Sequence, residues 1–175
     1  MDHRSARAED TTGPGRLARD LALCLAVHLD RSPAVVWPDC ADAVLSRFPG
    51  APRRPAGRPP ADTGPGTPPA TRLATRLGDL LGRRVDASYL DLPAGSRRPG
   101  GPAAADRVLL PVRGGCRARL EPAPPGPCRA VLEHPLELRL LAGEALYVPR
   151  GIGCALHEVR SPGTLLVLTL RPPSW

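Results

Sequence analysis

A His-x-Asp triplet, His28-Leu29-Asp30, is the clearest pair of metal-ligating side chains in this 175-residue chain. On a β-strand this spacing suits a metal site, because residues i and i+2 point to the same side. Here, however, the triplet comes at the end of a segment with a leucine at every fourth position, which predicts a helix. Residues two apart on a helix do not face each other. We therefore interpret the triplet as polar residues at a helix end, with a metal site as the alternative.

Five cysteines could supply thiolates for metal binding, disulfide bonds or nucleophilic catalysis. Their number is odd, and no two are spaced as Cys-x-x-Cys. They are Cys24, Cys40, Cys116, Cys128 and Cys154. The cysteines of zinc sites are usually close together in the sequence, and disulfide frameworks usually contain an even number of cysteines. We expect these cysteines to be reduced and partly buried as small apolar side chains.

His157 could also contribute to a metal site, together with His134 or Glu158. The simpler interpretation is that His157 has its hydrogen bonds satisfied within a barrel, or is exposed at a strand edge. The sequence shows no nucleophile–base pair, phosphate-binding loop or pair of carboxylates arranged for catalysis.

The C-terminal third of the chain predicts a series of short strands. Four apolar runs, LELRLL, ALYV, CALHEV and TLLVLTL, are separated by AGE, PRG and RSPG. Runs of this length bounded by Gly and Pro are typical of antiparallel strands joined by tight turns. Further strands are predicted upstream, and Gly114-Gly115 predicts a hairpin turn. The upstream strands are expected at 85–92, 108–112, 116–121 and 128–133.

Helices and loops are predicted in the N-terminal half. Leucine periodicity predicts helices at 16–29 and 71–82, and a capped segment predicts another at 39–48. The run at 32–37 predicts a short strand that leads to the barrel. We expect residues 1–15 to be disordered and the Pro/Gly-rich segment 49–70 to be a surface insertion within one domain, 16–175.

The segment GE-ALYVP-RG is similar to the last strands of the JmjC-type, cupin-like 2-oxoglutarate oxygenases, in which GD-x-LY-x-P-x-G leads into the final iron ligand. Its residues here are Gly143, Glu144, Leu146, Tyr147 and the turn 149–151. The similarity extends from Leu73 to Leu170 through LGRRV, PAGS and VLLPVRGGCRARL, which resemble the equivalent segments of the bacterial JmjC-type ribosomal oxygenases. The resemblance implies a mainly β fold with N-terminal helices, namely a cupin-type double-stranded β-helix (jelly roll) of about eight strands.

The resemblance also identifies the positions where that family binds iron(II) through two histidines and a carboxylate. With Asp106 aligned to the acid that follows the first two ligands, those two positions hold Gly101 and Ala103. A register shifted by one residue gives Pro102 and Ala104 instead. Neither pair supplies a donor atom.

The third ligand position is expected three residues after the glycine of the PRG turn, and it holds Cys154. His157 lies three residues further and is expected on the opposite face of the strand. The resemblance therefore implies that all three ligands are lost, so we expect no catalytic residue, no metal ligand and no cofactor.

Charge and composition limit the classes of partner that we expect for this chain. The net charge is +7 and the pI is about 10.1, yet every one of the 24 basic residues is arginine, which is typical of GC-rich codon usage. We interpret the arginines as a solvated surface, so nucleic acid is not the expected partner. The chain shows neither a signal-like N-terminus nor an apolar run of membrane-spanning length, so we expect a cytoplasmic protein without a membrane partner.

These observations favour a non-catalytic pseudo-oxygenase that binds or regulates a protein partner or a small ligand. The first alternative is an active hydroxylase of a protein or small metabolite that uses Fe(II) and 2-oxoglutarate. The second is an arginine-rich RNA- or ribosome-associated module, which predicts binding that weakens steeply with salt.

Overall fold

Two helices, separated in the sequence by the first strand, pack side by side in the computed structural model, which describes residues 14–39, 48, 68–122 and 130–171. Helix α1 is Pro14–His28 and helix α2 is Pro69–Leu81. Each starts two residues earlier than predicted, so the predicted disordered N-terminus and the predicted insertion both end sooner than expected. Proline fits the first turn of a helix because no partner is needed there for its missing N–H. Helix α2 ends at Gly82, whose φ of +62° suits a glycine cap.

Several sequence predictions fall outside the described residues. Of the helix predicted at 39–48, only Asp39 and Phe48 are described. The rest of the predicted disordered terminus and most of the Pro/Gly-rich segment are likewise not described. These remain predictions.

Eight strands form two antiparallel sheets in the described part of the chain. Their bounds are β1 Ala34–Val36, β2 Arg84–Leu92, β3 Asp106–Arg113, β4 Gly115–Glu121, β5 Leu136–Leu141, β6 Ala145–Val148, β7 Gly153–His157 and β8 Gly163–Arg171. The larger sheet has the order β1-β6-β3-β8-β2, and the smaller sheet has the order β5-β4-β7.

Residues 98–102 extend the smaller sheet beyond β7 through two isolated bridges. Arg98 pairs with Leu156, and Pro102 pairs with Gly153. From β2 onward the chain therefore passes to the smaller sheet at 98–102, back to the larger at β3, to the smaller at β4 and β5, and then alternates through β6, β7 and β8. This path is that of a double-stranded β-helix, and the predicted fold class is confirmed.

The larger sheet separates two hydrophobic cores, because successive side chains of a strand point to opposite faces. One face of β3, β6 and β8 packs on the two helices through Val108, Leu110, Ala145, Tyr147, Leu166, Leu168 and Leu170. The other face closes the barrel interior with the smaller sheet through Leu109, Leu146, Val148 and Leu165, which meet Ala118, Leu120 and Leu140.

The strand predicted at 128–133 is wrong in the part that the structure describes. Residues 130–135 form no strand, and the backbone N–H of Val131 donates instead to the carbonyl oxygen of Arg31, 2.7 Å away. This bond ties the segment to the connection between α1 and β1. The eighth strand is β1, which lies within the run predicted at 32–37. None of the described helices is long and apolar enough to cross a membrane.

Candidate functional site

A cavity of about 180 Å³ opens between the two sheets beside residues 98–103 and is here called the barrel pocket. The larger sheet contributes residues from β2, β3, β6 and β8, and the smaller sheet contributes β7 and the bridging segment. The lining residues are Leu90, Arg98, Pro99, Gly100, Gly101, Ala103, Arg107, Leu109, Val148, Cys154, Leu156 and Val167.

The structure brings the three predicted ligand positions together in this pocket. Gly101, Ala103 and Cys154 all line it, whereas Pro102 and Ala104 of the shifted register do not. Alignment on Asp106 therefore gives the register in which the three positions converge. Among the described lining residues, the only side-chain heteroatoms are the Cys154 sulfur and the nitrogens of two arginines.

Gly100 lets the bridging segment lie directly against β7. A Cβ atom at this position would be 2.0 Å from both the carbonyl carbon and the carbonyl oxygen of Cys154. No side chain fits in that space, so this part of the pocket wall is backbone against backbone.

Cys154 is a poor ligand and a poor nucleophile in this setting. Burial and, to a smaller extent, the nearby Cys116 raise the pKa of its thiol to about 12, and the positive charge of Arg107 opposes the shift. Thiolates, not thiols, bind metals and attack electrophiles. One protonated thiol and two guanidinium groups do not fit an iron(II) site of two imidazoles and a carboxylate.

Arg98 and Arg107 place positive charge at an otherwise apolar pocket. Arg98 is held by two backbone hydrogen bonds to Leu156, of 2.8 and 2.9 Å. Arg107 shares the barrel-facing side of β3 with Leu109. Neither guanidinium forms an ion pair with another described residue. The sequence did not single out these arginines, because nothing distinguishes them from the other twenty-two until the fold is known.

Asp106 faces the helices and not the pocket. Its carboxylate accepts hydrogen bonds from the Tyr147 hydroxyl at 3.0 Å and from the Arg150 backbone N–H at 2.9 Å. Arg83 bridges this carboxylate, at 3.3 Å, and that of Asp30, at 3.1 Å. The aspartate thus joins β3, β6 and the turn after β6 to the end of α1.

The two polar residues of the His-x-Asp triplet are used separately. His28 ends α1 and its Nδ1 lies 2.9 Å from the Ser32 hydroxyl oxygen, whereas the Asp30 carboxylate binds Arg83. Asp30 has a φ of +58°, a left-handed conformation that suits a residue just past a helix end. The structure therefore does not bring the triplet together with a third ligand among the described residues.

A group of possible metal ligands lies on the outer face of the smaller sheet. Ligand atoms of Glu137, His157 and Glu158 all lie within 4.8 Å of one another. The sequence suggested His157 with Glu158, but Glu137 takes the place considered for His134. His157 pairs with Arg117 across β4 and β7, whereas Cys154 pairs with the inward Leu120, so the predicted opposite facing is observed.

Arg117 already supplies the positive charge within this group. Its guanidinium lies 3.3 Å from a Glu137 oxygen and 3.0 Å from a Glu158 oxygen. His157 Nε2 is buried, has no hydrogen bond to any described residue and lies 3.6 Å from Glu137. A cation would have to displace the arginine from both carboxylates.

The fold of this chain is distantly similar to that of several solved structures. No protein-family model and no curated protein matches the chain. RmlC from Streptococcus suis, solved with dTDP-D-xylose, is 12% identical over 51% of this chain and 45% of its own, with a TM-score of 0.43. The DMSP lyase DddQ from Ruegeria pomeroyi is 21% identical over 52% and 40%, with a TM-score of 0.40.

A third solved structure, WlaRA (TDP-fucose-3,4-ketoisomerase) from Campylobacter jejuni, is 16% identical over 52% of this chain and 64% of its own, with a TM-score of 0.41. The chain thus matches less than two thirds of the length of each of these structures. The fold assignment rests on the strand path described above.

Proposed function

We propose that this chain is a degenerate JmjC-like, cupin-type protein that binds a small anionic ligand in the barrel pocket and has no iron-dependent activity. The observation that carries the proposal is that Gly101, Ala103 and Cys154 occupy the three expected ligand positions around one cavity. A pseudo-oxygenase of this kind would act by binding, as a carrier or as a regulator of a partner.

The JmjC-like part of the proposal is supported by the placement of the resembling motif. The motif covers β6, whose flanking turns contain Gly143 with a φ of +93° and Gly151 with a φ of +89°. Glycine adopts this conformation at little steric cost. Tyr147 of the motif is buried and binds Asp106, so the motif residues are accounted for by turns and packing.

The anionic character of the ligand is inferred from the pocket lining. Arg98 and Arg107 lack ionic partners among the described residues, and a guanidinium binds a carboxylate through two parallel hydrogen bonds. The remaining wall is apolar and suits a short carbon chain. The volume of about 180 Å³ is below the roughly 300 Å³ at which drug-sized sites begin, which favours a small carboxylate.

Calorimetric titration with 2-oxoglutarate and with a short fatty acid, in metal-free buffer, tests the binding function. We expect saturable binding that weakens about tenfold or more in Arg98→Gln and in Arg107→Gln, since a hydrogen bond to a charged group contributes about 1.5–3 kcal/mol. Arg119→Gln is the matched control, because Arg119 lies outside the pocket and binds Glu121 at 2.6 Å. Equal binding by all three variants would exclude the barrel pocket as the site.

The alternative is an active Fe(II)/2-oxoglutarate hydroxylase, and the group of Glu137, His157 and Glu158 is the observation in its favour. Anaerobic titration with Fe(II) and 2-oxoglutarate, followed through the visible charge-transfer band, separates the two functions. We expect no band and no succinate formation on exposure to oxygen. A stoichiometric band that disappears in His157→Ala or Cys154→Ala would overturn the proposal and establish the hydroxylase.

A further inference from the structure

A second cavity, of about 270 Å³, lies where the turn between β3 and β4 meets the connection from β7 to β8. It is here called the arginine pocket and shares no lining residue with the barrel pocket. Its lining residues are Gly114, Gly115, Cys116, Arg117, Arg139, Leu141, Glu158, Arg160 and Ser161. The convergence of three arginines on one concavity, and not their number in the chain, makes it a candidate site.

The positive charge of this pocket is only partly balanced. Arg117 is bound by Glu137 and Glu158, but Arg139 and Arg160 form no ion pair with another described residue. Arg117 and Arg139 also lie directly opposite each other on β4 and β5. Like charges at directly opposed positions destabilise a sheet unless something compensates them. A bound anion would provide that compensation.

We propose that the arginine pocket binds the phosphate group of a small phosphorylated molecule. Arg139 and Arg160 supply uncompensated guanidinium groups, which recognise phosphate through two parallel hydrogen bonds. Ser161 supplies a hydroxyl that can donate a further hydrogen bond. Gly114 and Gly115 line the pocket with backbone alone, because a Cβ at either position would lie 2.9 Å from a backbone atom of Gly163 or Leu140.

The surroundings favour a phosphate over a metal cation or a nucleic acid. A cation would meet Arg117 between the two carboxylates and two more guanidinium groups beside them. Proteins that bind single-stranded nucleic acid combine positive charge with aromatic side chains on which bases stack. None of the residues that line the arginine pocket is aromatic. The cavity is also concave and local, whereas a nucleic-acid groove follows several nucleotides.

Titration with inorganic phosphate, observed by calorimetry and by amide NMR shifts at constant ionic strength, tests the proposal. We expect saturable binding, with shifts centred on 114–117 and 158–161. In Arg139→Gln/Arg160→Gln the dissociation constant should rise about tenfold or more. Arg119→Gln is the control, because Arg119 projects from the same face of β4 outside the pocket. The double variant should fold normally, since neither replaced side chain has an ionic partner among the residues that the structure describes.

Each other outcome contradicts the proposal. Phosphate shifts that do not saturate, or that are the same in the double variant and the control, would mean general screening of a basic surface. Tight, steeply salt-dependent binding of a short single-stranded RNA that phosphate does not displace would instead support an RNA-associated module. The test is independent of the barrel pocket, because Arg98→Gln and Arg107→Gln should leave phosphate binding unchanged.

Discussion

At the scale of single residues, the buried carboxylate of Asp106 serves the structure of the domain. It is the aspartate that the resemblance aligns next to the iron ligands, yet its side chain is 4% exposed and faces the helices. Its oxygens are bound by Tyr147, Arg150 and Arg83. Removing one partner of a buried, hydrogen-bonded charge pair leaves the other partners unsatisfied.

Asp106→Asn should therefore lower the free energy of unfolding by about 2–4 kcal/mol, measured by urea denaturation. Asp86→Asn is the control: hydrogen bonds from Arg171 and Arg84 lower the pKa of Asp86, but the carboxylate lies at the surface. Its replacement should leave the urea midpoint nearly unchanged. Equal effects of the two substitutions would contradict the structural role of Asp106.

Cys154 should be protected from alkylation in the folded protein. Burial raises the pKa of its thiol from 9.0 to about 12, so at about pH 8.5 the folded state contains far less thiolate than the unfolded state. Mass-spectrometric mapping after a brief iodoacetamide pulse should find Cys154 unmodified until urea is added. Rapid modification without urea would show that the pocket thiol reacts as a thiolate in the folded protein, and a thiolate could bind a metal.

The same shift predicts an effect of pH on stability. The folded pKa lies above the unfolded one, so the folded state holds the proton more tightly. The contribution of Cys154 to stability is therefore complete below pH 9 and is lost as the pH rises through about 12. Between pH 9.0 and about pH 12, the free energy of unfolding should therefore decrease less in Cys154→Ala than in the wild-type protein.

At the scale of elements, the segment 98–102 completes the smaller sheet through backbone contact. Gly100→Ala would place a Cβ 2.0 Å from backbone atoms of Cys154, which cannot move as the end of a flexible side chain can. We expect a loss of about 3 kcal/mol or more in chemical denaturation. Gly101→Ala is the matched control, because its Cβ would meet nothing within 4 Å. Similar losses from both would mean that the segment is not held against β7.

Elements with a clear side-chain pattern could be predicted from the sequence, and those built on backbone could not. The leucine periodicity gives both described helices, and the apolar runs bounded by Gly and Pro give β2 to β8. The segment 98–102 has glycine and proline in place of alternating side chains, so no pattern marks it as part of a sheet. Residues 130–133 have a strand-like composition, but a bond from Val131 to Arg31 replaces sheet pairing.

The candidate sites follow the same division. The resemblance alone groups Gly101, Ala103 and Cys154, and all three line the barrel pocket. The arginines of the two pockets could not be assigned to sites from the sequence, because the fold decides which guanidinium groups pair with a carboxylate. Arg117 and Arg139 are 22 positions apart in sequence and become neighbours only when β4 pairs with β5.

At the scale of the whole molecule, two cores share the same three strands. The helix-side core and the barrel core both take residues from β3, β6 and β8, on alternate sides of one sheet. Loss of either core would leave one apolar face of these strands in water. The helices and the barrel should therefore unfold together, in a single transition.

One substitution in each core tests this coupling. Leu73→Ala in α2 and Leu120→Ala in β4 each remove a side chain that is fully buried, at 0% exposure. Each should lower the free energy of unfolding by about 2–5 kcal/mol and leave the dependence on urea concentration unchanged. Far-ultraviolet circular dichroism and intrinsic tyrosine and tryptophan fluorescence should report the same midpoint. If Leu73→Ala instead gave an early helical transition followed by barrel unfolding, the barrel would be an independent unit, and the network of Asp30, Arg83 and Asp106 would not couple the unfolding of the helices to that of the barrel.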